Sequence, residues 1–322
     1  MPTVIITGGH TGIGFECAKQ LASVYQINLV LAGRNIEVIE AAAQQLRAEH
    51  RVEVRVVEVD TSSLASVRRA AKKCRDMVQE GTIDALQAVL CNAGAQFHGP
   101  ISYSPDGYER TFATNFLGHF LLVELLFDLI TAQGRIVFTA SGTHDPDTTD
   151  GKMVGRAVEP DAFALANDGK SGTAPLTPGV RYATSKLCTI MHAYELDRRL
   201  RHERSSVLSI AFDPGSVPET GLLREMPRAV RWIAMTSAMK WVMKRMGVTL
   251  GSVGFSGAGL AKVVADPDYA DASGQYIQSN DGRLIRTQSS KISYDRDRAL
   301  KLWSDCRTLV SLQPDEEPLQ LR

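Results

Sequence analysis

The chain has 322 residues, 44% hydrophobic and 22% charged, a balance that fits a soluble globular fold and excludes global disorder. Thirty-six Lys plus Arg offset 36 Asp plus Glu, so there is no broad basic field to hold a nucleic acid by its phosphates. Five scattered cysteines (Cys17, Cys74, Cys91, Cys188 and Cys306) form no C-x-x-C pair and read as reduced thiols of a cytoplasmic protein, with neither a disulfide framework nor a metal site expected.

Short runs rich in Val, Ile and Leu, with little alternation, predict strands covered on both faces at 4–7, 28–32, 53–59, 85–90, 135–139 and 207–212, and a further one at 274–278. Helical patterns separate the early ones, at 15–25, 37–49 and 64–80. This alternation predicts one domain over 1–322: an α/β, Rossmann-type doubly wound parallel sheet of about seven strands with helices on both faces. The first strand opens the chain without a basic and apolar leader ahead of it. The most apolar stretch, 115–130, contains His119, Glu124 and Asp128 and reads as too short and too charged to span a bilayer. No transmembrane segment is expected; peripheral membrane contact stays open.

Directly after the first strand comes Thr7-Gly8-Gly9-His10-Thr11-Gly12-Ile13-Gly14, followed by a helix. Glycines let the backbone turn tightly and approach a pyrophosphate, whose charge is met by free N–H groups at the helix start. Gly8, His10, Thr11, Gly12, Ile13 and Gly14 are therefore candidate cofactor-binding residues. The next strand ends in Ala32-Gly33-Arg34-Asn35. An acidic residue about 20 positions beyond the glycines binds the ribose 2′-OH in dinucleotide folds, whereas arginine accommodates a 2′-phosphate. Arg34 at that position favours NADP(H) over NAD(H); the plainer alternative is a surface arginine at a helix start. Asp60 can accept from the adenine amino group or cap the helix behind it. Asn92-Ala93-Gly94, after the fourth strand, brings backbone towards the cofactor.

Tyr182-Ala183-Thr184-Ser185-Lys186 places a phenol and an ammonium at i and i+4, on one helix face. A phenol ionises near pH 10, and a neighbouring positive charge lowers that value towards useful acid–base chemistry. Ser141 follows the fifth strand at the carboxyl edge, where open α/β sheets bind ligands. Its hydroxyl can bond a substrate oxygen, and the Asn115 amide can organise a water relay to the lysine. Two segments break the alternation. The stretch 142–180, rich in Gly, Asp, Thr and Pro, is long enough to be either functional or disordered. The stretch 214–254 carries Met226, Met235, Met239, Met243 and Met246, of which the last four recur at helical spacing and read either as a core-facing stripe or as an adaptable lid over an apolar ligand. Its basic residues Arg224, Arg228, Arg231, Lys240, Lys244 and Arg245 are solvated or meet a carboxylate or membrane surface.

Taken together, the glycine turn, Asn92-Ala93-Gly94, Asn115, Ser141, Tyr182-x-x-x-Lys186 and Asp213-Pro214-Gly215 resemble the short-chain dehydrogenase/reductase family. The resemblance implies that Tyr182 is the acid/base, Ser141 orients the reacting oxygen, and Lys186 binds the nicotinamide ribose and lowers the tyrosine pKa. It also implies that Asn115 completes a proton relay, that Pro214 and Gly215 border the cofactor, and that Thr220 touches the nicotinamide carboxamide. A narrower likeness, to the branch of retinol dehydrogenases and protochlorophyllide reductases, rests on Asp106–Glu109, Thr114–Leu122, Thr184–Cys188, Pro214–Leu222 and the 297–312 tail. One position departs: those pigment reductases carry cysteine after the Pro-Gly, and this chain has Ser216. The expected activity is NADP(H)-dependent interconversion of a carbonyl and an alcohol on an apolar, bulky substrate. Reduction of a C=C bond in a tetrapyrrole-like or enone substrate is the alternative. Monomer and homo-oligomer both stay open.

Overall fold

Val4 and Ile6 of the first strand, β1 (Thr3–Thr7), join one apolar cluster, and Ile5 between them joins another; all three are at most 1% exposed. That period of two marks a strand covered on both faces, and it explains why the sequence shows a continuous apolar run. The same split recurs on β2 (Asn28–Gly33), where Leu29 and Leu31 pack with Val4 and Ile6 while Val30 and Ala32 pack with Ile5. The computed structural model describes residues 1–170, 172, 174–217, 236, 239, 241, 243, 245–280 and 282–321.

The sheet continues through β3 (Val54–Glu58), β4 (Leu86–Cys91), β5 (Ile130–Thr139), β6 (Leu208–Asp213), β7 (Tyr276–Asn280) and β8 (Arg283–Thr287). Its order is β3-β2-β1-β4-β5-β6-β7-β8, with β1 to β7 parallel to their neighbours and β8 antiparallel to β7. The order reverses between β1 and β4, which opens a crevice outside their carboxyl ends. On one face lie α1 (Gly12–Ser23), α2 (Ile36–Glu49) and α9 (Val253–Ala265). On the other lie α3 (Leu64–Gln79), α5 (Gly118–Leu126), α8 (Pro178–His202) and α10 (Arg296–Leu309). A short helix α4 (Arg110–Phe112) leads into α5 through the π-turn Ala113–Leu117, closed by Gly118 N–H donating to the Ala113 carbonyl.

The predicted sheet needs two adjustments. β5 starts at Ile130, which pairs with Leu86 ahead of the apolar run, and its first four residues are partly or fully exposed. An eighth strand, β8, completes a hairpin with β7 in the register Asn280↔Arg283. Its residues Arg283, Arg286 and Thr287 are exposed, so it lacks the apolar run that signals a buried strand. The apolar stretch was also read too short: Arg110–Leu129 is, by length and composition, enough to cross a membrane. Its most apolar window is 83% buried inside the fold, as suits the core element that it is here.

The 142–180 connection is built, with α6 (Thr149–Val154) and α7 (Ala162–Ala166) inside it. The buried Arg181 guanidinium anchors it, with Nε 3.3 Å from Glu109 Oε1 and Nη1 3.8 Å from Asp168 Oδ2. Lys301 on α10 reaches Asp161 at 2.9 Å and Arg298 reaches Glu159 at 2.7 Å. Of the methionine stripe, Met239 and Met243 are half-buried and Met246 is exposed. Arg245 lies over the Trp241 ring at 5.4 Å. Thr220, Met226, Met235, Arg224, Arg228, Arg231, Lys240 and Lys244 lie outside the described residues.

Candidate active site

The glycine turn forms because Gly8 (φ +67°) and Gly12 (φ +55°) take left-handed backbone that other residues resist. Gly14 permits the closest approach: a Cβ there would stand 2.4 Å from the Gly8 carbonyl oxygen and 2.5 Å from Asn92 Nδ2. Helix α1 begins at the end of this turn, and Thr11, its N-cap, makes no side-chain cap bond. By contrast α2, α3, α6, α7, α8, α9 and α10 are capped by Asn35, Ser63, Thr148, Asp161, Thr177, Ser252 and Asp295. The first N–H groups of α1 thus stay open to an anion at the switch point of the sheet.

Arg34 is exposed at the end of β2 and enters no ion pair among the described residues. The His10 ring lies against Gly33; burial and then the Arg34 charge lower its pKa, so it is neutral. Its Nδ1 is buried without a hydrogen-bond partner among the described residues. An uncapped helix, an orphaned ring nitrogen and an unpaired guanidinium on one rim fit a dinucleotide carrying a 2′-phosphate. Asp60 Oδ1 accepts from Ser62 N at 3.0 Å and Ser62 Oγ at 2.8 Å, so the turn into α3 holds that oxygen.

Asn92 sews three strand ends together. Its Nδ2 donates to the Thr7 carbonyl at 3.0 Å, and its Oδ1 accepts from Thr139 Oγ1 at 3.3 Å. Thr7 Oγ1 accepts from Asn92 N and Ala93 N at 2.9 and 3.0 Å and lies 2.9 Å from His119 Nε2. His119 Nδ1 lies 3.2 Å from the Asn115 carbonyl. Burial takes the His119 pKa down to about 4, so the ring is neutral, donating from Nδ1 and accepting the threonine proton at Nε2. The loop continues past the catalytic face: a Cβ on Gly94 would stand 3.4 Å from both Lys186 Nζ and Asn115 Oδ1.

Asn115 sits in the π-turn, where the wider turn offsets it from the regular helix. Its Oδ1 accepts from Ala95 N at 2.8 Å, and its Nδ2 donates to the Ala95 carbonyl at 3.0 Å and to Ser185 Oγ at 3.1 Å. The amide therefore clamps the 92–95 loop to α8, one residue before Lys186. On α8, Lys186 Nζ donates to the Thr139 carbonyl at 2.8 Å and lies 5.7 Å from the Tyr182 ring centre. Burial draws the lysine pKa down to about 8, with the Asp213 carboxylate pulling the other way. Burial raises the Tyr182 phenol above its usual value, a hydrogen bond with Ser141 lowers it, and Asp213 adds to the rise. The geometry brings a buried phenol, an ammonium and a hydroxyl to the carboxyl edge of β5 and β6, beside the switch point.

A family model described as short chain dehydrogenase matches residues 2–147. Protochlorophyllide reductase B, chloroplastic, of Oryza sativa subsp. japonica is 30% identical, over 98% of this chain and 79% of that protein. The chain belongs to the short-chain dehydrogenase family. Within the family it falls in the branch of the protochlorophyllide reductases, and like other members it is an oxidoreductase. An uncharacterized protein from Mycobacterium Paratuberculosis shares the fold with a TM-score of 0.69 at 24% identity, covering 97% of this chain and 94% of that one. A short chain dehydrogenase from Burkholderia cenocepacia in complex with NADP matches with a TM-score of 0.63 at 20% identity, over 87% and 97% of the two chains.

This short-chain dehydrogenase also holds residues around its site that sequence reasoning passed over. His144 Nδ1–H donates to the Ser141 carbonyl at 2.7 Å, while its Nε2 accepts from Ser290 N at 3.0 Å. Burial lowers its pKa, and the two bonds define a neutral ring that ties the serine loop to the 288–294 segment. Ser216 is held through its backbone, with N donating to the Thr249 carbonyl at 2.7 Å and O accepting from Gly251 N at 2.9 Å.

Proposed function

We propose that this protein is an NADP(H)-dependent oxidoreductase that interconverts a carbonyl and an alcohol on an apolar, bulky substrate. The observation that carries the reading is the buried Tyr182 phenol hydrogen-bonded with Ser141, with Lys186 beside it, on the same sheet edge as the uncapped α1 and Arg34. The cofactor is NADP(H): the α1 start and the glycine turn hold the pyrophosphate, Arg34 the 2′-phosphate, and Lys186 the ribose. When bound, it supplies or accepts a hydride at the substrate carbon. Ser141 donates to the reacting oxygen and steadies its developing charge. Tyr182 gives its phenolic proton to that oxygen on reduction and takes it back on oxidation. Lys186 keeps a positive charge beside the phenol, and Asn115 holds α8 and the 92–95 loop at fixed spacing. An apolar substrate suits the buried Val217 and Val248 and the half-buried Met239 and Met243 in the segment after Gly215.

A second reading, C=C reduction of a tetrapyrrole-like or enone substrate, draws support from the 30% identity to protochlorophyllide reductase. Ser216, where those reductases have cysteine, is the weaker proton donor and favours the first reading. NADPH deuterated at its transferable position separates them when offered with aldehydes, ketones and enones. Deuterium on a new carbinol carbon supports carbonyl reduction, and deuterium on a former alkene carbon supports the second reading. In Tyr182→Phe, turnover should fall by about 10²–10⁴-fold while NADPH affinity holds; wild-type turnover there overturns the mechanism.

A further inference from the structure

We propose that Thr143 is a positioning residue: its hydroxyl and its backbone N–H fill both acceptor positions of the Ser141 oxygen, so the serine enters the reaction as a donor only. The inference rests on the proposed roles of Ser141 and Tyr182 and adds the direction of the hydrogen bond between them. Ser141 is the N-cap of the single 3-10 turn Gly142–His144 that follows β5. Its Oγ accepts from Thr143 N at 3.3 Å and from Thr143 Oγ1 at 3.1 Å. Thr143 is 9% exposed, and its hydroxyl has no other hydrogen-bond partner among the described residues.

A hydroxyl has one proton to give and two lone pairs to receive with. Thr143 takes both lone pairs, so the one hydrogen bond left to Ser141 is made by its own proton. The bond with Tyr182 therefore runs from serine to phenol, with Ser141 Oγ–H donating and Tyr182 Oη accepting. Burial raises the Tyr182 pKa, and a serine that donates works against that rise by favouring the phenolate. The turn is held so that this arrangement persists. His144 Nδ1 and His144 N donate to the Ser141 carbonyl at 2.7 and 3.1 Å, and His144 Nε2 accepts from Ser290 N at 3.0 Å. The His144 ring also packs 5.2 Å from the ring of Tyr276 on β7. Two adjacent residues thus fix the serine: His144 holds its carbonyl and Thr143 its side-chain oxygen.

The consequence is a single route for the proton. On reduction the Tyr182 O–H bond breaks and an O–H bond forms on the substrate oxygen, while the Ser141 O–H bond stays intact. Were a serine lone pair free, the phenol could donate to it instead; that bond stabilises the neutral phenol and holds its proton away from the substrate. The serine proton has two destinations, the Tyr182 oxygen and the reacting oxygen, and neither requires Ser141 to accept. The other charged and titratable groups around the phenol and the serine are Lys186 on α8, Asp213 at the end of β6 and His144 in the serine turn. All three are unchanged in every variant of the test.

Thr143→Val keeps the shape of the side chain and frees one serine lone pair. With NADPH and the aldehyde or ketone that the wild type reduces fastest, turnover in this variant should fall about three- to tenfold. Thr143→Ser, which keeps the hydroxyl, should stay within about twofold of wild type. The deciding variant is Ser141→Ala/Thr143→Val. Thr143 acts only through the serine oxygen, so the double variant should match Ser141→Ala within about twofold. A further fall beyond that makes Thr143 a structural residue and overturns the proposal, as does wild-type turnover in Thr143→Val. If no aldehyde or ketone is reduced, the carbonyl reading fails, and the phenol itself is read in the NADP⁺-saturated protein at about pH 10. Phenolate absorbance is taken as the difference between each chain and its Tyr182→Phe counterpart. Less phenolate in Thr143→Val than in the wild type supports the serine as donor; equal amounts, none included, overturn it.

Discussion

On the proposed reading, Arg34 and Gly14 do opposite kinds of work in the cofactor cradle, one by charge and one by having no side chain. Exposed at the end of β2 and without an ion pair among the described residues, Arg34 is available for a charge-assisted bond to a phosphate. Arg34→Asp removes about 1.5–3 kcal/mol of such bonding and adds repulsion. Its NADPH affinity should fall at least about tenfold while NADH binding improves, as followed by cofactor fluorescence. Equal affinities for both cofactors in the wild type would contradict the assignment. Gly14→Ala drives a Cβ to 2.4 Å from the Gly8 carbonyl oxygen, and overpacking of this kind costs about 1–3 kcal/mol. NADPH binding in that variant should weaken by about tenfold or more; an unchanged dissociation constant would show that the turn is not the pyrophosphate cradle.

Residues of this kind were legible in the sequence because chemistry demands their type at their spacing. Glycines follow a strand, an arginine stands at the next strand's end, and a phenol and an ammonium lie one helical turn apart. His144 and His119 were not legible as functional side chains. Their partners, Ser290 and Thr7, lie far away in sequence and become neighbours only when the chain folds.

Helix α5 makes the element-scale case, since its apolar composition hides a carboxyl at its centre. Glu124 is 1% exposed, and neither of its carboxyl oxygens has a hydrogen-bond partner among the described residues. Burial first, and then the Glu317 carboxylate, lift its pKa from the ordinary 4.5 to about 8, against the pull of Arg307 and Arg199. As pH rises above 4.5 the unfolded chain loses this proton while the folded chain keeps it to about 8. Stability from this group therefore falls across that interval and is level beyond it. Glu124→Gln abolishes the fall. Urea midpoints near pH 4.5 and above pH 8 should show the variant's relative stability increasing with pH, whereas parallel curves would place the carboxyl in water.

Strands were easier to read than connections. Buried parallel strands write themselves as apolar runs, but β8, exposed at the sheet edge, has no such run; its one cue is Asp281-Gly282, a two-residue hairpin signal. The order within 142–180 comes from the Arg181 pairs and the contacts with α10, none of which is periodic in sequence.

At the scale of the whole molecule, the last residues close the α8 face. Arg68 pairs with Glu316 at 2.6 Å, Arg199 Nη1 donates to the Leu321 carbonyl at 3.0 Å, and the Leu321 side chain is 0% exposed. Deleting residues 313–322 exposes a leucine-sized apolar surface, about 1.5–3 kcal/mol. The thermal midpoint should drop by about 3–10 °C; an unchanged midpoint would mean the tail does not dock. The account's larger claim is that the glycine turn on β1 and the Tyr182–Lys186–Ser141–Asn115 group on the opposite half of the sheet serve one bound dinucleotide. A crystal structure with NADP⁺ tests this most directly. The account predicts the pyrophosphate at Gly8–Gly14, the 2′-phosphate on Arg34, and the nicotinamide between Gly215 and the Tyr182 hydroxyl. A dinucleotide bound with its nicotinamide in a cavity that Tyr182 does not face would contradict it.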